Sequence, residues 1–354
     1  MEDINSYNIS RFENLTREAR RISIVTHMKP DGDAIGSCAA LYHYLLMKGK
    51  TSVKVVLNDK NPSYLDFLTK RLNDSDLIIS AEKKEDAEII IRDSDLIFCL
   101  DFNAFHRADS LEQALATSTA DKVLIDHHIG PDRDSFDLIF SETDISSASE
   151  LLFNILMETT DIAHDATMLP EATSEALMTG MTTDTNNFAN SVYPSTLRMA
   201  SSLLAAGVDR DAILSNLYNQ YSIDRLRLMG HAMKDLLTIT DDGVAYMILD
   251  RKTQEKYNVQ EGDTEGFVNM PLSVADVRMS VFLKEDRDRI RVSIRSKKGT
   301  SANKCARLYF NGGGHENAAG GKLMIPTDIS GIENAAEYIE IHTHKYLTED
   351  ETNK

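Results

Sequence analysis

The chain has only three cysteines among its 354 residues, spread far apart at Cys38, Cys99 and Cys305. They make no Cys-x-x-Cys pair and no disulfide framework. That fits a reducing cytosol, and the three read as small buried apolar residues. Long apolar runs are also missing, since no stretch approaches the roughly 20 residues that a membrane-spanning helix needs. The N-terminus, Met1-Glu2-Asp3-Ile4-Asn5-Ser6-Tyr7-Asn8, lacks a basic segment followed by an apolar one. No secretion signal is therefore expected, and a cytoplasmic location is. Positive charge is scarce: 38 Lys and Arg against 56 Asp and Glu give a formal net charge of -18. This excludes a broad electrostatic footprint on long duplex nucleic acid. It leaves room for a short anionic substrate, because bound divalent cations and a few placed Arg or Lys residues reverse the sign locally. No internal repeat or low-complexity segment is found. What remains, 42% apolar and 27% charged residues, is ordinary for a soluble globular protein, and the length suits two domains.

The first half alternates strand-like and helix-like segments. Apolar runs at 22–26, 53–57, 95–100 and 122–125 read as buried parallel strands, with helices near 34–48, 146–158 and 171–181. Such alternation predicts an α/β fold with a parallel sheet covered on both faces. Residues 195–236 are nearly all helical in pattern. Further strands are expected at 244–249, 277–283 and 290–295, with Asp286-Arg287-Asp288-Arg289 as a solvated hairpin and a helix at 301–310. The expected organisation is a metal-binding catalytic domain at 1–208, a helical linker at 209–236, a smaller α/β domain at 237–347 and a frayed tail at 348–354.

Four clusters carry metal-ligand residues: His27-x3-Asp31-x-Asp33, Asp101, Asp126-His127-His128 and Asp184. The first three follow apolar runs, and Asp184 follows Thr179-Gly180-Met181-Thr182-Thr183. Each is expected at the carboxyl end of a strand, the rim where ligands bind in open α/β sheets. Taken singly they are weak signals. An Asp after a strand is more often a helix N-cap, and Asp-Gly-Asp alone reads as a turn. Their joint placement is what points to a metal centre. Carboxylates mixed with imidazoles favour Mn²⁺ and admit Co²⁺, Zn²⁺ or Mg²⁺. Asp101 can give one oxygen to each of two metals, with His127 and Asp184 completing the second set. Two cations roughly 3.5–4 Å apart activate a water for in-line phosphoryl displacement, so no Ser or Cys nucleophile is required.

Several of these motifs resemble the DHH phosphoesterase family, named for a triplet such as Asp126-His127-His128. Thr26-His27-x-x-Pro30-Asp31-Gly32-Asp33-Ala34-Ile35-Gly36-Ser37 looks like its first motif, Leu100-Asp101-Phe102-Asn103 its second and Thr183-Asp184-Thr185 its fourth. Gly312-Gly313-Gly314-His315-Glu316-Asn317-Ala318-Ala319-Gly320 and Ser293-Ile294-Arg295-Ser296 are similar to the family's associated C-terminal domain. The resemblance implies one metal on His27, Asp31 and Asp101, and another on Asp33, Asp101, His127 and Asp184. It implies that His128 contacts the scissile phosphate and that Asp126 orients neighbouring ligands. Arg295, Ser293, Gly313, Gly314 and His315 would bind substrate, with Arg107 a weaker candidate. Where the family commonly has Gly after the fourth-motif Asp-Thr, this chain has Asn186, which bears on the loop and not on a ligand.

The implied activity is that of a Mn²⁺-dependent, exoribonuclease-like phosphodiesterase with two bound cations, Mg²⁺ or Co²⁺ being alternatives. Its substrates would be very short single-stranded RNA or dinucleotides, with linked 3′-phosphoadenosine 5′-phosphate phosphatase activity. The smaller domain would hold the far end of the substrate, with a hinge near 209–236. A soluble cyclic or linear di-adenylate phosphodiesterase is the alternative. A non-catalytic sensor on the same fold would have lost a ligand, and none is lost. A homodimer is compatible with the chain.

Overall fold

Unbroken apolar segments build the first sheet. The computed structural model describes residues 3–219 and 221–352. Met1, Glu2 and the last two tail residues, Asn353 and Lys354, lie outside them. The chain divides into two compact units, 1–220 and 221–354.

In the first unit the strands are β1 (Ile22–Thr26), β2 (Val53–Leu57), β3 (Leu77–Ile79), β4 (Leu96–Leu100), β5 (Asp121–Asp126) and β6 (Leu138–Ser141). All pair in parallel, in the order β3-β2-β1-β4-β5-β6. The helices are α1 (Ser6–Glu18), α2 (Gly32–Met47), α3 (Asp66–Thr69), α4 (Lys84–Asp93), α5 (Glu112–Thr117), α6 (Ala148–Met157), α7 (Glu171–Asp184), α8 (Pro194–Ala205) and α9 (Arg210–Tyr218). Both faces of the sheet are covered. Leu96, Phe98 and Leu100 pack on one side in a core with Phe12, Leu41, Leu152 and Leu177 from α1, α2, α6 and α7. Ile97 and Cys99 pack on the other with Ala87 and Ile91 of α4 and Leu115 of α5. Every residue of β4 is thus buried, which is why its sequence shows no alternation. Each large side chain so buried contributes roughly 1.5–3 kcal/mol.

The strand order reverses between β1 and β4, the position where the crossovers leave a crevice at the carboxyl ends. The expected strands at 22–26, 53–57, 95–100 and 122–125 occupy the centre of this sheet. Its edges, β3 and β6, are short and were not expected. Asp184 departs from the expectation. It is the last residue of helix α7, not the end of a strand. The helix expected near 171–181 runs on to Asp184, and its threonines are satisfied along it: Thr179 Oγ1 donates to Glu175 O and Thr183 Oγ1 to Gly180 O, both at 2.8 Å.

Residues 209–236 are shared between the units. Ile213 and Leu217 of α9 join the first core, whereas Leu228 of α10 (Ile223–His231) and the following Ala232 pack with Met247 and Phe282. The second unit has strands β7 (Thr238–Ile239), β8 (Val244–Leu249), β9 (Met279–Glu285), β10 (Arg289–Ser296), β11 (Gly313–His315) and β12 (Ala318–Met324), and helices α11 (Arg251–Lys256), α12 (Ala302–Tyr309) and α13 (Ala335–Thr352). The sheet order is β11-β12-β10-β9-β8-β7, mixed, with only β8 and β9 parallel among the described pairs. The strand expected at 277–283 runs two residues later, and the hairpin after it closes through Asp286 N–H to Arg289 O at 2.8 Å. The expected tail from 348 is helical through Thr352.

Candidate metal centre

The loop from β1 to α2 is held from both neighbouring strands. Thr26 Oγ1 donates to Leu100 O at 2.8 Å. Met28 N–H donates to Arg107 O at 2.8 Å, and Lys29 N–H, at a φ of 51°, donates to Asp59 at 2.7 Å. His27 Nδ1 lies 2.8 Å from Met28 O, which leaves Nε2 turned to the other ligand residues. Asp31 caps α2, accepting from Asp33 N–H and Ala34 N–H at 3.1 Å each. The N-cap reading and the ligand reading therefore hold for the same residue. Asp33 is buried in the first turn of α2. Its two oxygens accept from Ala148 N–H at 2.6 Å and Ser149 N–H at 2.9 Å, at the amino end of α6, where such groups have no helical partner.

Asp101 follows β4 with a φ of 62°, its N–H continuing the ladder to Ile125 O at 3.0 Å. It is 2% exposed and central to the cluster. Its Oδ2 lies 3.4 Å from His27 Nε2, which is 3.9 Å from Asp31 Oδ1. Its Oδ1 lies 3.4 Å from His127 Nε2, which is 4.0 Å from Asp33 and 3.6 Å from Asp184. One carboxylate thus divides between two donor sets. The sets His27, Asp31, Asp101 and Asp33, Asp101, His127 each converge closely enough to share an ion. Asp101 Oδ1 is buried and accepts no hydrogen bond, a combination that is costly unless something else satisfies it.

Charge in this crevice is strongly coupled. Burial disfavours cationic His27 and His127, but the adjoining carboxylates outweigh it. Asp101 and Asp31 lift His27 to about 9, and Asp101, Asp184 and Asp33 lift His127 to about 10. Burial likewise acts to raise Asp101, yet the two imidazoles hold it well below the usual carboxylate range. Asp33 is pushed up to about 7 by burial and by Asp101, and burial lifts Asp184 well above its ordinary value. Four carboxylates and two imidazoles, buried except for exposed Asp31 and half-buried Asp184, fit two divalent cations of the Mn²⁺, Co²⁺, Zn²⁺ or Mg²⁺ type.

Ligands must be deprotonated to bind metal, and the two imidazoles are charged below about pH 9. Mn²⁺ binding at pH 8 should therefore release one to two protons, as an order-of-magnitude count. Apparent affinity should rise about tenfold per pH unit for each proton released and level off above pH 10. Calorimetry in buffers of different ionisation enthalpy measures this, and buffer-independent heats would contradict it.

Asp126, fully buried at the end of β5, accepts from His128 twice. Oδ1 lies 2.7 Å from ring Nδ1, and Oδ2 takes the backbone N–H at 3.1 Å. The residue it orients is thus His128. Arg107 is brought to the site loop by its carbonyl oxygen. Two features escaped the sequence reading: Asp59 and the amino end of α6 as the group that holds Asp33. The pattern Ser147-x-x-Glu150, a helix-start signature, could have located the second.

In the second unit, β10 buries Ile290, Val292 and Ile294 and turns Arg291, Ser293 and Arg295 to the opposite face. Register aligns the other expected residues with them. Arg295 and His315 both pair with Ala318, and Ser293 and Gly313 both pair with Gly320. Each row lies on one face, with residues two strands apart separated by roughly 10 Å. Arg295 donates to Ile294 O at 3.0 Å, and no carboxylate pairs with it among the described residues; burial lowers its pKa. The glycine triplet is not uniform. A Cβ on Gly312 would lie 1.9 Å from Gly320 O, and one on Gly314, at φ 151°, 2.5 Å from Ala318 O. Gly313 meets nothing closer than 3.5 Å, so close strand packing demands its two neighbours and not Gly313.

Known proteins resemble this chain over most of its length. Residues 21–181 match the DHH family, N-terminal domain, and residues 241–339 match the DHHA1 domain. The bifunctional oligoribonuclease and PAP phosphatase NrnA of Thermus thermophilus is 30% identical over 85% of this chain and 84% of its own length. The protein of the same name from Bacillus subtilis is 27% identical over 84% and 87%. The crystal structure of an exopolyphosphatase-related protein from Bacteroides fragilis superposes with a TM-score of 0.90 at 35% identity, covering 99% of both chains. The chain belongs to the DHH family.

Proposed function

We propose that this protein is a two-metal phosphodiesterase that hydrolyses very short oligoribonucleotides to mononucleotides and also removes a phosphate from 3′-phosphoadenosine 5′-phosphate. The observation that carries it is the divided carboxylate of Asp101, one oxygen toward His27 and the other toward His127. The printed names of the NrnA relatives point to the same substrates. His27, Asp31 and Asp101 would hold one cation, and Asp33, Asp101, His127 and Asp184 the other, with Mn²⁺ as the expected metal. When bound, the two cations supply an ionised water and neutralise charge on the phosphate. Asp126 holds Nδ1 of His128, which makes Nε2 the nitrogen offered to the scissile phosphate. Arg295 would take another substrate phosphate, since its planar fork suits bidentate contact. The three buried free thiols suit a reducing cytoplasm, and no described helix is long and apolar enough to cross a membrane.

The test is a competition assay with purified protein and Mn²⁺. It compares RNA of roughly two, five and twenty-four nucleotides with cyclic and linear di-adenylate, 3′-phosphoadenosine 5′-phosphate and pyrophosphate. Fast mononucleotide release from the two shortest RNAs supports the proposal. Preference for a di-adenylate over every RNA would move the enzyme to nucleotide signalling. Arg295→Lys should raise KM for short RNA by about tenfold with little change in kcat, because a point charge replaces a bidentate fork. An unchanged KM would remove Arg295 from the substrate site.

A further inference from the structure

Glu150 is fully buried on α6 and belongs to neither donor set. Its Oε2 collects three donors: Ser146 N–H at 3.2 Å, the Ser146 hydroxyl, and Thr196 Oγ1 at 2.7 Å. Its Oε1 is buried and accepts none. A buried carboxylate is costly to keep where an apolar side chain would fill the same space.

Its neighbours suggest what it does there. Ser147 is the N-cap of α6, and its side chain accepts from Glu150 N–H at 3.0 Å. In an ordinary capping box the carboxylate at this position returns to the N-cap N–H. Here it reaches one residue further back, to Ser146. The start of α6 is thereby pinned, with Ala148 N–H and Ser149 N–H directed at Asp33. On its other side, Thr196 donates to Glu150 while accepting from Tyr193 N–H at 3.1 Å. That contact closes the segment that follows Asp184, in which Asn186, Asn187, Phe188 and Ser191 all have positive φ.

We infer that Glu150 is a positioning residue: one carboxylate joins the amino end of α6, which holds Asp33, to the start of α8, which closes the loop after Asp184. It thereby fixes two members of the second donor set. This rests on the assignment of Asp33 and Asp184 as metal ligands.

The experiment measures Mn²⁺ binding by calorimetry, kcat and KM on a short RNA, and the thermal midpoint in chelator. The proteins are full-length wild type, Glu150→Gln and Thr196→Val. Glu150→Gln should weaken Mn²⁺ binding by about 10–100-fold, the range seen when a residue supporting a ligand is lost. It should lower kcat with little change in KM. Thr196→Val, which removes one donor, should show a smaller loss in the same direction. It carries the test alone if the glutamine variant does not fold. Wild-type Mn²⁺ affinity in the folded variants, whatever their thermal midpoints, overturns the inference. If wild type itself binds no Mn²⁺, the proposed function falls and this inference with it.

Discussion

Asp101→Asn should lower turnover by on the order of 10³-fold or more while leaving the fold intact, a loss at least as large as that of one transition-state donor. The fold should survive because asparagine matches aspartate in shape and tolerates the left-handed backbone found there, at φ 62°. The main-chain bond from Asp101 N–H to Ile125 O is untouched. What disappears is the anion shared by both donor sets. An amide has one acceptor oxygen, so its NH₂ would face either His27 or His127, both now 3.4 Å from a carboxylate oxygen.

The same substitution has a signature independent of turnover. Asp101 is among the main groups that lift the two imidazoles to about 9 and about 10. Without it the burial penalty gains weight, so both should titrate lower in the metal-free protein, which imidazole NMR would show. In wild type, the raised imidazoles contribute stability that is fully present below their ordinary value of 6.5 and lost as pH climbs through 9–10. Asp33, raised to about 7, adds a loss that begins above its ordinary 3.8. Asp101 itself, held low, contributes above the ordinary carboxylate range and loses that contribution only in acid. Metal-free wild type should therefore weaken from neutral to alkaline pH, and Asp101→Asn should flatten the part above pH 7. Unchanged imidazole titrations in the variant would contradict the coupling.

The parts of this centre that were legible in the sequence were those attached to long apolar runs. β1, β4 and β5 are buried on both faces, so each reads as an uninterrupted run, and the polar residue that ends it marks the sheet rim. His27, Asp101 and Asp126-His127-His128 were placed that way. Asp184 was not: it was expected at the end of a strand, although the helix read at 171–181 already covers the start of Thr179-Gly180-Met181-Thr182-Thr183. The hydroxyl-to-carbonyl bonds that let those threonines sit in α7 depend on a helix already formed. The edges β3 and β6 escaped because three or four residues at a sheet border carry little periodicity. The placement of α6 under Asp33 is a contact across more than a hundred positions, which no local pattern encodes.

Replacing Gly36 with alanine should destabilise the first unit, although the same change inside a helix ordinarily stabilises it by up to about 1 kcal/mol. The sign reverses because α2 and α7 touch through their glycines. A Cβ on Gly36 would lie 2.7 Å from Ala176 O and 2.9 Å from Gly180 N and Cα, all of them backbone. No side-chain rotation relieves that clash, so the helices must separate. Overpacking of this kind costs roughly 1–3 kcal/mol, a fall of about 2–12 °C in the midpoint of a domain of this size. Gly230 in α10 supplies the control: nothing lies within 4 Å of its hypothetical Cβ, so Gly230→Ala should stabilise the second unit slightly. The metal centre should report the difference too. α2 carries Asp33 and α7 ends at Asp184, and Gly180 sits where a Cβ would come within 2.9 Å of Asp33 Oδ1. Gly36→Ala should thus weaken Mn²⁺ binding as it lowers the midpoint, and Gly230→Ala should change neither binding nor turnover. Equal and positive shifts in midpoint for both substitutions would mean that α2 and α7 do not pack through these glycines.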